Sequence, residues 1–71
     1  NETTKTAKMA EMAIVYGNRY RTVNKDVDFG LTKAENSFYK GNYKVCLEQA
    51  ISAINIVEPG IYNKLLENFK D

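Results

Sequence analysis

The 71-residue sequence predicts an all-α fold, an antiparallel three-helix bundle closed by a short fourth C-terminal helix. Three observations carry this. Apolar residues recur at spacings of three and four along most of the chain, and no stretch shows the strict alternation of a strand. A Gly41-Asn42 pair sits between two such stripes, where one helix must end and the next begin. Pro59-Gly60 then separates the third stripe from a short amphipathic tail. A chain of this length makes one domain, here residues 1–71, and leaves roughly 40% of its unfolded surface in contact with water, so the core must be thin.

The first stripe places Met9, Met12, Ala13, Tyr16, Tyr20 and Val23 on one helical face. It predicts one continuous helix from about Thr4 to Thr22, with a weak point at Gly17 that costs about 1 kcal/mol relative to alanine. Asn24 is placed to cap the second helix, with Asp26 and Asp28 in the first turn, where carboxylates favour the positive end of the helix dipole. The stripe of that helix is Val27, Leu31, Ala34 and Phe38. Gly41 suits a left-handed C-terminal cap, and Asn42 is expected to supply the N-cap of the third helix, which carries Tyr43, Cys46, Leu47, Ala50, Ile51, Ile54 and Val57. After Pro59, the residues Ile61, Tyr62, Leu65, Leu66 and Phe69 predict a fourth helix of about ten residues. Short connections favour antiparallel neighbours.

Composition limits the chemistry. The chain has no histidine, the commonest general base and metal ligand, and one cysteine, Cys46, which lies inside the third apolar stripe and reads as a small core hydrophobe. With no second cysteine there is no internal disulfide, which fits a reducing compartment. No Gly-rich phosphate loop, paired-cysteine zinc spacing or nucleophile elbow occurs. No enzymatic activity, cofactor or small-molecule substrate is therefore expected. Ten basic and nine acidic residues give a net charge of +1, dispersed along the chain, which argues against a nucleic-acid surface. Asp26 with Asp28, and Arg19 with Arg21, are each two apart and point about 200° from one another on a helix, so neither pair acts jointly. The five tyrosines fall mostly on or beside the stripes and read as packed rings with their hydroxyls reaching solvent.

Some apolar residues miss the stripes. Ile14 lies about 160° from Tyr16 on a helix, on the side of Gly17, Asn18 and Arg21. Phe29 and Ile56 also point away from their own stripes. One explanation is that the fourth helix, or protein beyond this chain, covers them. The other makes the back of the first helix a docking surface of Ile14, Gly17, Asn18 and Arg21, in which glycine permits close approach and Asn and Arg supply directional hydrogen bonds.

Two resemblances follow from short blocks. Gly41 to Ile54, ending at Pro59, resembles the second half of a tetratricopeptide repeat, in which a Gly-Asp-Tyr turn starts a helix that finishes at proline; the match covers one repeat, about Val27 to Pro59. The second resemblance spans nearly the whole chain. Tyr16-Gly17-Asn18-Arg19-Tyr20-Arg21, then Ala34-Glu35, Gly41-Asn42-Tyr43 and Val57-Glu58-Pro59-Gly60, are similar in order and spacing to the C-terminal part of the septation ring formation regulator family (EzrA). Val15 stands where the family has a glutamine.

That resemblance implies a parent protein with one N-terminal membrane helix absent here, followed by a long cytoplasmic rod of spectrin-like helical repeats. This chain, which begins without a methionine, is then expected to be the C-terminal fragment of that rod. It implies a non-enzymatic regulator at the cytoplasmic face of the membrane at the division septum, whose partners are FtsZ and other division proteins. The family's polar recruitment patch maps onto Asn18 and Arg19, with Arg21 adjacent. Two rivals are a tetratricopeptide-like peptide-binding adaptor and a purely structural cap of a helical rod.

Overall fold

The small residues of the first helix, more than its large ones, decide how the chain packs. In the computed structural model, which describes residues 2–68, α1 runs Glu2–Gly17 and buries Met9, Ala10, Ala13 and Gly17. Ile14, Tyr16 and Tyr20 flank this strip, partly buried against the core. A Cβ at Gly17 would stand 2.8 Å from Leu31 Cδ1 and 2.9 Å from Ile54 Cγ1, so the bare backbone is where the other two helices press on α1. The continuous helix expected to reach Thr22 is not observed. Beyond Gly17 the chain tightens into a 3₁₀ turn, Asn18–Tyr20, with Arg21 N donating to Asn18 O and Val23 N to Tyr20 O. The tighter winding rotates Val23 out of the stripe, and it is 75% exposed.

Helix α2, Lys25–Tyr39, begins as the sequence predicts. Asn24 has extended geometry (φ −145°, ψ 114°), and its side chain accepts from the backbone of Asp26 and Val27. Val27, Leu31 and Ala34 are fully buried and Phe38 is half-buried. At the C-terminus Gly41 takes φ +84°, Gly41 N donates to Phe38 O and Asn42 N to Ser37 O, the paired bonds of a Schellman turn. Asn42 precedes α3, and its carbonyl accepts from Cys46 N, but its side chain caps nothing. The expected side-chain cap fails because Asn42 also serves the preceding turn, which leaves its backbone at φ −88°, ψ 68° instead of the extended geometry of Asn24.

Helix α3, Tyr43–Asn55, buries Cys46, Ala50, Ala53 and Ile54. It returns along α2: Gly30 faces Ala53, Ser37 Oγ donates to Gln49 Oε1, and the Phe38 and Tyr43 rings meet edge-on, so partner numbers fall as α2 advances. The crossing is tightest at Gly30, where a Cβ would lie 2.6 Å from that of Ala53. Past α3, Val57 N and Glu58 N both donate to Ile54 O, and the chain turns at Pro59 and Gly60, the latter at φ +87°.

Helix α4, Ile61–Asn68, buries Ile61 and Leu65, while Tyr62 is about half exposed and leaves the predicted stripe. The Leu66 side chain and Phe69 lie outside the described residues. All described secondary structure is helical. Phe29 and Ile56 remain exposed, so α4 does not cover them. The Cα radius of gyration of 11.1 Å is that of a compact chain of this length.

Candidate interaction surface

The 3₁₀ turn after Gly17 has no side-chain cap of its own, and two carboxylate clusters hold its flanks. On one side stand Tyr16 and Tyr20, four apart and edge-on to each other with ring centroids 6.2 Å apart. Both hydroxyls donate to the Glu58 carboxylate at 2.6 Å, and Lys64 Nζ of α4 pairs with the same group at 2.8 Å. Glu58 is the residue between the end of α3 and the proline corner, and its side chain is only 17% exposed. These contacts hold its pKa down to about 2, the Lys64 hydrogen bond contributing most and the two phenols next. In return the carboxylate pushes the Tyr20 phenol up to about 12 and raises that of Tyr16. The Tyr16 and Tyr20 hydroxyls thus have a partner inside the fold instead of reaching solvent.

On the other side stands Arg21. Its Nε pairs with Asp28 Oδ1 at 2.7 Å, Nη1 reaches Glu35 Oε2 and Asn18 Oδ1, both at 3.3 Å, and Nη2 donates to Thr32 Oγ1 at 3.1 Å. Asp28 therefore does more than favour the dipole of α2. The guanidinium fork matches such a ring of acceptors, and Arg21 ties the turn to the first three turns of α2.

Between the clusters, Asn18 and Arg19 are exposed. The Arg19 guanidinium lies over the Tyr16 ring, 4.4 Å from its centroid. Of the five residues read from the sequence as partner-binding, the structure brings these two to the open side of the turn. Gly17 is buried, and the close approach it permits is made by Leu31 and Ile54 of this chain. Ile14 is half-buried against the core, beside Glu35 and Phe38. The Arg21 donors are directed to acceptors of this chain. The apolar side chain that does stand open is Val15, 64% exposed, beside Glu11, Met12 and Arg19.

Sequence reading missed Glu58 as a site residue. Two signals pointed to it: a pair of tyrosines four residues apart on one helical face, able to aim both hydroxyls at one acceptor, and a lone glutamate in a proline corner whose charge no helix required. The Asn-Arg-Tyr-Arg and Val-Glu-Pro-Gly blocks meet in space at this carboxylate, where Tyr20 donates to Glu58 across 38 residues of sequence.

A family model described as septation ring formation regulator, EzrA, matches residues 1–69. Proteins named septation ring formation regulator EzrA give the same result. That of Geobacillus sp. (strain WCH70) is 42% identical over 65 residues, covering 92% of this chain and 12% of its own length. The Staphylococcus epidermidis (strain ATCC 12228) protein is 42% identical over 67 residues, 94% of this chain and 12% of its own. The Oceanobacillus iheyensis protein is 39% identical over 62 residues, 87% of this chain and 11% of its own. No solved structure matches. The chain thus spans about an eighth of the length of these relatives. With the two sequence blocks joined in one clasp and the family match running over nearly every residue, the chain belongs to the septation ring formation regulator (EzrA) family.

Proposed function

We propose that this chain is the C-terminal module of a membrane-anchored, rod-like division regulator with spectrin-like helical repeats, and that it acts by binding, without catalysis. In this reading it works at the cytoplasmic face of the membrane at the septum and modulates where and how often FtsZ rings assemble. The observation that supports it is the exposure of Asn18 and Arg19 on a turn held from both flanks, within one of the blocks that carry the family resemblance. An amide and a guanidinium held in this way suit a partner surface bearing carboxylates or backbone carbonyls. Ordering cost on binding is small when the donors are already fixed.

Co-sedimentation with FtsZ polymers tests the proposal. Asn18→Ala and Arg19→Ala are expected to weaken binding roughly fivefold to tenfold each, as truncation of central interface residues does. Both positions are exposed, so circular dichroism and thermal midpoint should stay as in the native chain. Equal binding by native chain and variants would remove the turn from the mechanism and leave the structural cap as the better reading.

A further inference from the structure

We propose that Glu58 is a positioning residue for the Asn18–Arg19 surface, acting through the Tyr16 ring. The inference rests on the reading above that Asn18 and Arg19 meet the partner. The relay has three short links. Glu58 is itself anchored, its backbone N–H donating to Ile54 O at 2.8 Å, with Ile54 fully buried and Pro59 next in the chain. Its carboxylate takes the Tyr16 hydroxyl on both oxygens and the Tyr20 hydroxyl on one, each at 2.6 Å. Tyr16 in turn places its face under the Arg19 guanidinium.

Hydrogen-bond satisfaction alone does not require this arrangement. Tyr16 and Tyr20 are only half-buried, and a phenol of that exposure can reach water. What convergence on one carboxylate adds is direction, because two rings four residues apart are fixed by one anchored point across the 3₁₀ turn. A ring face also holds a cation without using its N–H donors, which stay available to a partner. Arg19 stands in none of the ion pairs formed among the described residues, whereas Arg21 and Lys64 do. The turn therefore separates two arginines by role: Arg21 is bound into the fold, and Arg19 is held in place and left able to bind.

The test combines the Arg19 Nε–Hε signal by nuclear magnetic resonance, which the Tyr16 ring displaces, with FtsZ co-sedimentation. Glu58→Ala is expected to move the Arg19 signal to its position in a Tyr16→Ala variant and to weaken co-sedimentation about as much as Arg19→Ala. Glu58→Gln retains a carbonyl acceptor and should restore most of the signal. Tyr16→Phe keeps the ring and removes only the hydroxyl, so it answers the same question if Glu58→Ala does not fold, and it should also displace the signal. A residue serving only stability would lower the melting temperature and leave the Arg19 signal where it is. A folded Glu58→Ala, or Tyr16→Phe, with an unchanged Arg19 signal overturns the inference. If Arg19→Ala binds as the native chain does while Glu58→Ala still displaces the Arg19 signal, the partner reading fails and the positioning role stands.

Discussion

At the scale of single residues, Glu58 and Gly30 show what one side chain, or the lack of one, decides. Glu58 ionises near 2 in the folded chain against 4.5 for an ordinary glutamate, so the unfolded state binds its proton first. Its contribution to stability is complete above about pH 4.5 and is lost as pH falls through the folded value near 2. The Tyr20 phenol, raised to about 12 from 10.0, has the opposite sign: its contribution is complete below pH 10 and lost toward 12. Urea denaturation across pH should therefore show a plateau that falls off at both ends, and Glu58→Gln should lose the glutamate's share of the acid limb. At Gly30 the helices meet so closely that a methyl group would overlap Ala53 Cβ, an atom fixed to the backbone and unable to swing aside. Overpacking of this kind costs about 1–3 kcal/mol. The gain in helix propensity from alanine returns about 1 kcal/mol. Gly30→Ala is expected to lower the urea midpoint, and by more than Gly17→Ala, whose obstructing atoms belong to the longer Leu31 and Ile54 side chains.

At the scale of elements, two asparagines in equivalent sequence contexts do different work. Asn24 has an extended backbone and its side chain satisfies two N–H groups of α2. Asn42 occupies the same position before α3 and satisfies none with its side chain. Asn24→Ala should cost about 1 kcal/mol and Asn42→Ala only a few tenths, as measured by chemical denaturation. The stripes of α2 and α3, the cap at Asn24 and the left-handed Gly41 were readable from sequence because each depends on residues within four positions of one another. The end of α1 was not readable. A glycine inside an apolar rhythm looks like a weak point whatever lies opposite, and only the positions of Leu31 and Ile54 show that Gly17 marks a helix crossing. For the same reason Val23 was expected in the core. Continuing the 3.6-residue rhythm through a turn that winds more tightly puts every later side chain at the wrong angle.

At the scale of the whole molecule, four helices share a thin apolar layer, and the polar clusters gather where α1 ends, α2 begins and α3 gives way to α4. Nearly all of that layer was visible as periodicity. The clasp was not, because Tyr16 and Glu58 are 42 residues apart and no local pattern states which distant element will face a tyrosine pair. The Asn18 and Arg19 positions came from the family-like block, and their separation from Arg21 came from the tertiary placement of Asp28 and Glu35.

Cys46 sits within that layer with no exposed surface, and burial, then the Glu35 charge, pushes its thiol up from the ordinary value. Since the thiolate is the reactive species, an alkylating reagent has nothing to attack until the α2–α3 seam parts. The sole thiol is thus a clock for opening. Mass-spectrometric labelling at a fixed reagent concentration should run faster in Gly30→Ala, which strains the seam, and at the native rate in Asn18→Ala, which does not touch it. Seam opening and partner binding can then be followed separately on the same 71 residues.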